Sequence, residues 1–201
     1  RGIMYDIVTG AINIGIAAFL GVATTLIAAF TTRYYAGTNQ SPVKHIARAS
    51  QGGAALTLLT GLGYGLRSPL FGLLAIIFSI ITAFKISNGM LFAIVAVNIG
   101  TDLLIGLIMA SDSFGPIVDN AAGIAKMGKA SQRVSEALSR LDAVGNTLKA
   151  TTKSYAMTSG TVTAFVLFVT FFTITKNTVL DLITPYAIGF IFVGISLPYL
   201  L

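Results

Sequence analysis

QRVSEALSRLDAVGNTLKATTKSYAMTSGTVTAFVLFVTFFTIT, from Gln132 to Thr175, reads as one very long helix and decides the fold class. At about 1.5 Å of rise per residue it reaches roughly 60 Å, twice the hydrocarbon thickness of a bilayer. Its polar first half therefore has to project from the membrane, and the stretch from Ala164 to Ile174 is the part buried in lipid. The chain is thus expected to be an all-α integral membrane protein, and the flanking segments agree.

Upstream, residues 7–32 form an apolar run long enough to span, since a span needs roughly 20 residues. Arg33-Tyr34-Tyr35 closes it as a cationic and aromatic interfacial anchor. Ala36 to Ser41 is a polar turn, with Ser41 as expected N-cap and Pro42 at the first helical position. Residues 43–66 read as one helix, amphipathic at Lys44, His45 and Arg48 and apolar after Gln51; it lies at the interface or dips into the protein. A second span runs from Pro69 to Phe84 and a third from Met90 to Ala110, separated by the Ser87-Asn88-Gly89 turn. The third is expected to continue to Met127 with a bend at Gly115-Pro116, and Gly128 to Ser131 then makes a hairpin into the long helix. Lys176-Asn177 turns the chain into a last span, Leu182 to Leu201. The expectation is a multi-helix transmembrane bundle of five spans plus the ambiguous helix, forming one membrane domain over 1–201.

Composition supports this. The chain is 55% hydrophobic and 10% charged, against about 25% charged in soluble domains, and its mean hydropathy is +0.85. Gly at 21 residues suits close-packed membrane helices. With no cysteine and one histidine, disulfides and the usual zinc clusters are excluded. The +6 net charge is topological: with five spans, ten basic residues fall on the side of the Lys126–Arg133 hairpin and only Arg1, Lys85 and Lys176 on the other. That bias places the hairpin in the cytoplasm and argues against nucleic-acid binding as a reading of the charge. Arg1-Gly2-Ile3 lacks both a methionine and a signal pattern and reads as an internal cut.

The chemistry gathers where the third span meets the long helix. GPIVDNAAGIAKM (115–127) and LDAVGNT (141–147), running on to Lys149, Thr152 and Lys153, set Asp112, Asp119, Asp142 and Asn146 beside two ammonium groups. Hard oxygen donors mixed with lysines suit a magnesium-bound polyphosphate, because magnesium keeps waters and substrate oxygens as its remaining ligands. Lysine adds a point charge to a phosphate.

The same residues resemble the membrane-bound, ion-pumping inorganic pyrophosphatases. The pattern is close to D-x-x-G-P-I-x-D-N-A-x-G-I-A-x-M, then L-D-A-x-G-N-T-T, then a lysine and an aromatic. The likeness extends to Tyr34-Tyr35-Ala36-Gly37-Thr38, Ser41-Pro42-Val43, Thr184-Pro185 and Leu197-Pro198-Tyr199, nearly the whole chain. The resemblance implies that Asp119 and Asn146 hold magnesium pyrophosphate for hydrolysis and that Lys153 neutralises substrate charge. It also implies that Asp112 and Asp142 either orient a lysine or metal-bound water or are structural, and that Asn120 is structural. Lysine then threonine at Lys149 and Thr152, in place of alanine then glycine, goes with potassium-independent members, as a tethered ammonium can stand where a monovalent cation would bind. The implied partners are pyrophosphate, the remainder of a larger pump subunit, the bilayer and a second subunit in a homodimer; the implied work is proton translocation.

Some features depart from the family. Lys126 replaces a common glutamate, Arg33 another, and Leu138-Ser139 a Thr-Asp pair. Asp102, in the middle of Met90–Ala110, has no family counterpart; such an acid normally faces a bundle interior or a water path. His45 is read as solvated. The family's other acidic motifs are missing, so 201 residues are expected to be only the middle of a pump. A scaffold or assembly subunit derived from such a pump is the competing reading, and an unrelated transporter a weaker one.

Overall fold

The computed structural model describes residues 3–176 and 183–197, and all regular structure among them is helical. The eight α-helices are α1 (Ile3–Ala36), α2 (Ser41–Ala49), α3 (Ala54–Arg67), α4 (Leu70–Ile86), α5 (Phe92–Asp102), α6 (Ile105–Met127), α7 (Gln132–Thr175) and α8 (Pro185–Ser196). They fall into two compact units, one ending at Val166 and one beginning at Leu167.

In the first unit α1, α4 and α5 pack through small side chains. Ala17, Ala83, Ala93, Ala96, Val97 and Ile76 make the core together with Val162 of α7. Lipid tails are as apolar as leucine, so close backbone approach rather than water exclusion drives this association. The tightest point is a glycine crossing. A Cβ on Gly21 would run into the Val97 carbonyl oxygen, and one on Gly100 into that of Ala18. Hydroxyls bind the seam: Thr24 and Ser79 meet at 2.6 Å, and Thr25 donates to the Thr101 carbonyl at 3.3 Å. Asn13 donates to the carbonyl of Ile86 at 2.8 Å, satisfying an otherwise orphaned acceptor at the end of α4.

Residues 6–52, 54–86 and 132–175 contain stretches long and apolar enough to cross a membrane, and α5 with α6 makes a fourth if that bent pair is one span. The fifth expected span, 182–201, is represented by α8, with 12 residues. The Asn177 half of the preceding turn, Leu182 and Pro198 to Leu201 lie outside the described residues.

Three local expectations are corrected. The N-cap of α2 is Gln40, in extended conformation, with Ser41 already helical. The helix expected over 43–66 is two helices, because a 3-10 turn over Ser50–Gly52 leads into Gly53 at φ +103°, a backbone state that side chains resist. The bend of the third span is not at Gly115-Pro116; α6 runs helical through Pro116. The break is at Leu103-Leu104, where α5 and α6 are bent by 40°. No proline stands at the break; there the Thr25 hydroxyl of α1 donates to the Thr101 carbonyl at 3.3 Å, a contact of the kind that bends helices.

Candidate functional site at the α6–α7 crossing

A Schellman turn folds α7 back along α6. Lys129 takes the left-handed conformation at φ +52°, the Ala130 N–H reaches the Ala125 carbonyl at 2.9 Å and the Lys129 N–H that of Lys126 at 3.3 Å. The two helices then touch at glycines from both motifs. A Cβ on Gly145 would lie 3.1 Å from the Gly115 Cα. A Cβ on Gly115 would lie 2.8 Å from Cγ of Lys149, so the bare backbone of Gly115 is the bed for that lysine's stem. The motif resemblance pointed to Asp119, Asn146 and Lys149. The two crossing glycines, which bring them together, went unread there although a small residue in each motif was the available signal.

From that bed the Lys149 ammonium makes an ion pair with the Asp119 carboxylate. It also lies 3.5 Å from Asn146 Oδ1, one turn back on its own helix. Asn146 Nδ2 donates to Asp142 Oδ2 at 3.4 Å. Asp142 also faces Asp119 closely enough for the two carboxyl groups to interact. Its other oxygen, Oδ1, is buried and has no hydrogen-bond partner. Two carboxylates beside one ammonium leave a negative charge unmatched. That charge can be met by a proton, toward which the facing Asp119 carboxyl and burial push Asp142, or by a further cation, and the oxygens and amide present are the donors magnesium prefers. No set of three acidic or histidine side chains converges among the described residues. Magnesium commonly takes one or two carboxylates and completes its shell with water and phosphate, so the donor set fits it.

Other expected residues are placed differently. Thr152 donates to Asp112 Oδ1 at 2.6 Å, one turn beyond Lys149, which makes these two partners of each other. Lys153 is not in the cluster. It lines a separate cavity of about 480 Å³ with Tyr35, Tyr64 and Met157. Asn120 is exposed. His45 is more than solvated, since its Nδ1 lies 2.5 Å from the Tyr64 hydroxyl of α3.

Residues 3–201 match the family described as inorganic H+ pyrophosphatase. The chain belongs to that family. It is 37% identical over 166 residues to a "K(+)-insensitive pyrophosphate-energized proton pump" of Chloroflexus aurantiacus, covering 78% of this chain and 21% of that one. Proteins of the same name in Caldanaerobacter subterraneus subsp. tengcongensis and Methanosarcina mazei are similar. They are 38% and 35% identical over 160 and 192 residues, covering 76% and 90% of this chain and 22% and 28% of theirs. This member of the H+ pyrophosphatase family is an integral membrane protein, and its 201 residues span between a fifth and somewhat over a quarter of the length of those relatives.

Proposed function

We propose that the chain contributes part of the active site of a pyrophosphate-energised proton pump, hydrolysing pyrophosphate on the cytoplasmic side of the membrane. The observation that carries this reading is the Asp119–Lys149–Asn146–Asp142 cluster at the glycine crossing, in a chain of this family. Asp119, Asn146 and Asp142 are the residues that would hold magnesium. The metal, when bound, supplies positive charge to phosphate oxygens and lowers the pKa of water. Asp119 and Asn146 would present hard oxygens to it, and Asp142 fixes the Asn146 amide so that its oxygen points toward Lys149. Lys149 holds the Asp119 carboxylate in place and adds a positive charge beside the polyphosphate, whose hydrolysis depends on positioning and charge compensation. Lys153 reaches the substrate only if its side chain leaves the second cavity, so its role is the less direct one of drawing anions to that face.

Lys149 and Thr152 support independence from potassium, in keeping with the names of the relatives. The excess of basic residues on the hairpin side supports its cytoplasmic placement. A homodimer and the remainder of a larger subunit would complete the assembly.

The test is pyrophosphate hydrolysis by the purified protein in sealed vesicles, with internal acidification followed alongside. Hydrolysis that requires magnesium, is indifferent to potassium and acidifies the lumen is the expected result. The intact polypeptide mass is measured on the same sample. A 21.0 kDa polypeptide that inserts in the membrane but neither hydrolyses nor pumps would overturn the pump in favour of a scaffold.

A further inference from the structure

Asp102 closes α5 on a seam that the candidate site does not use. Its Oδ1 accepts hydrogen bonds from Ser159 Oγ at 2.6 Å and from the Tyr155 hydroxyl at 3.4 Å, both on α7. Its Oδ2 accepts from Asn98 Nδ2 at 3.3 Å, and Asn98 is oriented in turn by Thr163, which donates to its Oδ1 at 3.0 Å. Tyr155 is buried, whereas Asp102, Asn98, Ser159 and Thr163 are each partly exposed along one edge. No cation pairs with Asp102 among the described residues. α1 carries no charged side chain between Asp6 and Arg33, and α4 none before Lys85. On α6 the nearest acid, Asp112, is engaged by Thr152. On α7 the nearest cations are Lys149, paired with Asp119, and Lys153, which lines the other cavity, so Tyr155 is the titratable group bonded to Asp102 among the described residues.

A carboxylate between apolar helices with no countercharge has two ways to be neutral: a bound metal ion or a proton. The surroundings favour the proton. Asn98 turns its N–H2 toward Asp102, which repels a metal ion, and its oxygen is already taken by Thr163. The hydroxyls of Ser159 and Tyr155 can each donate to the ionised carboxylate or accept from the protonated acid. The same heavy-atom arrangement thus serves both forms, and Ser159 itself is partly exposed.

We propose that Asp102 is a proton-binding site within the membrane through which transported protons pass, an assignment that rests on the pump reading. Loading adds one proton to a carboxylate oxygen from water at the Ser159 edge. Unloading returns that proton to water, and the hydroxyls reverse their donor and acceptor roles.

The experiment uses the protein in sealed vesicles with magnesium pyrophosphate, measuring hydrolysis, lumen acidification and infrared absorption of carboxyl groups across pH. Asp102→Asn should keep hydrolysis within about twofold and lower protons moved per pyrophosphate by about tenfold, with Asp102→Glu restoring much of the loss. A protonated-carboxyl band that titrates in the wild type should be missing in Asp102→Asn. Ser159→Ala, which removes the 2.6 Å bond without changing charge, should shift that band; it guards against a variant that fails to fold. Wild-type coupling in Asp102→Asn, or a band unmoved in Ser159→Ala, overturns the proposal. A wild type that hydrolyses no pyrophosphate defeats the pump reading instead, and the infrared titration still decides whether Asp102 takes up a proton.

Discussion

Asp119 is the residue whose loss separates a substrate site from a helix contact. In Asp119→Ala, Lys149 loses its ion-pair partner and Asp142 is left without a second acid to share a cation. Hydrolysis is expected to fall by about 100-fold or more while the protein still inserts and elutes as a single species. Near-normal turnover in correctly inserted protein would remove Asp119 from the site. Lys149 is tested through potassium. Its ammonium is covalently tethered, so no binding equilibrium is needed, and the wild-type rate should be flat against added potassium at constant ionic strength. Lys149→Ala should create a potassium requirement, completed by Thr152→Gly, because Thr152 holds Asp112 in the next turn of the helix. A wild-type enzyme that stays silent until potassium is supplied refutes the tethered-charge role. At this scale the sequence was informative about identity and less so about direction. Asp119, Asn146 and Lys149 were legible from the family motifs, and spacing added only that Asn146 and Lys149, three apart, share a helix face, as positions three and four apart do. Lys153, four residues beyond Lys149, shared that spacing and yet turns into another cavity, because a long flexible stem is not bound by helical register.

Elements were read best where their ends are local. α7 runs from Gln132 to Thr175 as expected, since a hairpin signal stands on one side and Lys176, at φ +54°, on the other. The break at Gly52-Gly53 escaped because the amphipathic pattern of α2 passes into the apolar pattern of α3 without a polar gap. The bend was put at Pro116 because proline is the visible helix breaker, whereas the Thr25 hydroxyl acting on Thr101 comes from 76 positions away in the chain. The glycine crossings give the prediction at this scale. Gly145→Val must push α6 away from α7, since even a Cβ would sit 3.1 Å from the Gly115 Cα. Stability should drop by about 1–3 kcal/mol, as in other overpacked contacts. Hydrolysis should fall with it, because Lys149 loses its bed. Measured melting and turnover unchanged from wild type would show that the helices are free to separate without consequence.

The whole molecule is a set of membrane helices whose sidedness can be measured directly. The turn after α4 carries Lys85, and the α6–α7 hairpin carries Lys126, Lys129 and Arg133. With α5 and α6 forming one bent span, these lie on opposite faces. Single cysteines at Asn88 and Gly128 should therefore react with an impermeant reagent from opposite sides, the second from the cytoplasm. Labelling of both from the same side would mean that the bent pair turns back within the bilayer. That pair also has a mechanical meaning. α5 is clamped to α1 where Gly100 meets Ala18, and α6 is clamped to α7 where Gly115 meets Gly145. The two-residue joint at Leu103-Leu104 lies between the clamps. Asp102 is the last residue before that joint, and Asp119 lies beyond the second clamp. The break thus divides one bent span into a lever arm that carries the candidate site and an anchored arm that carries the seam carboxyl group.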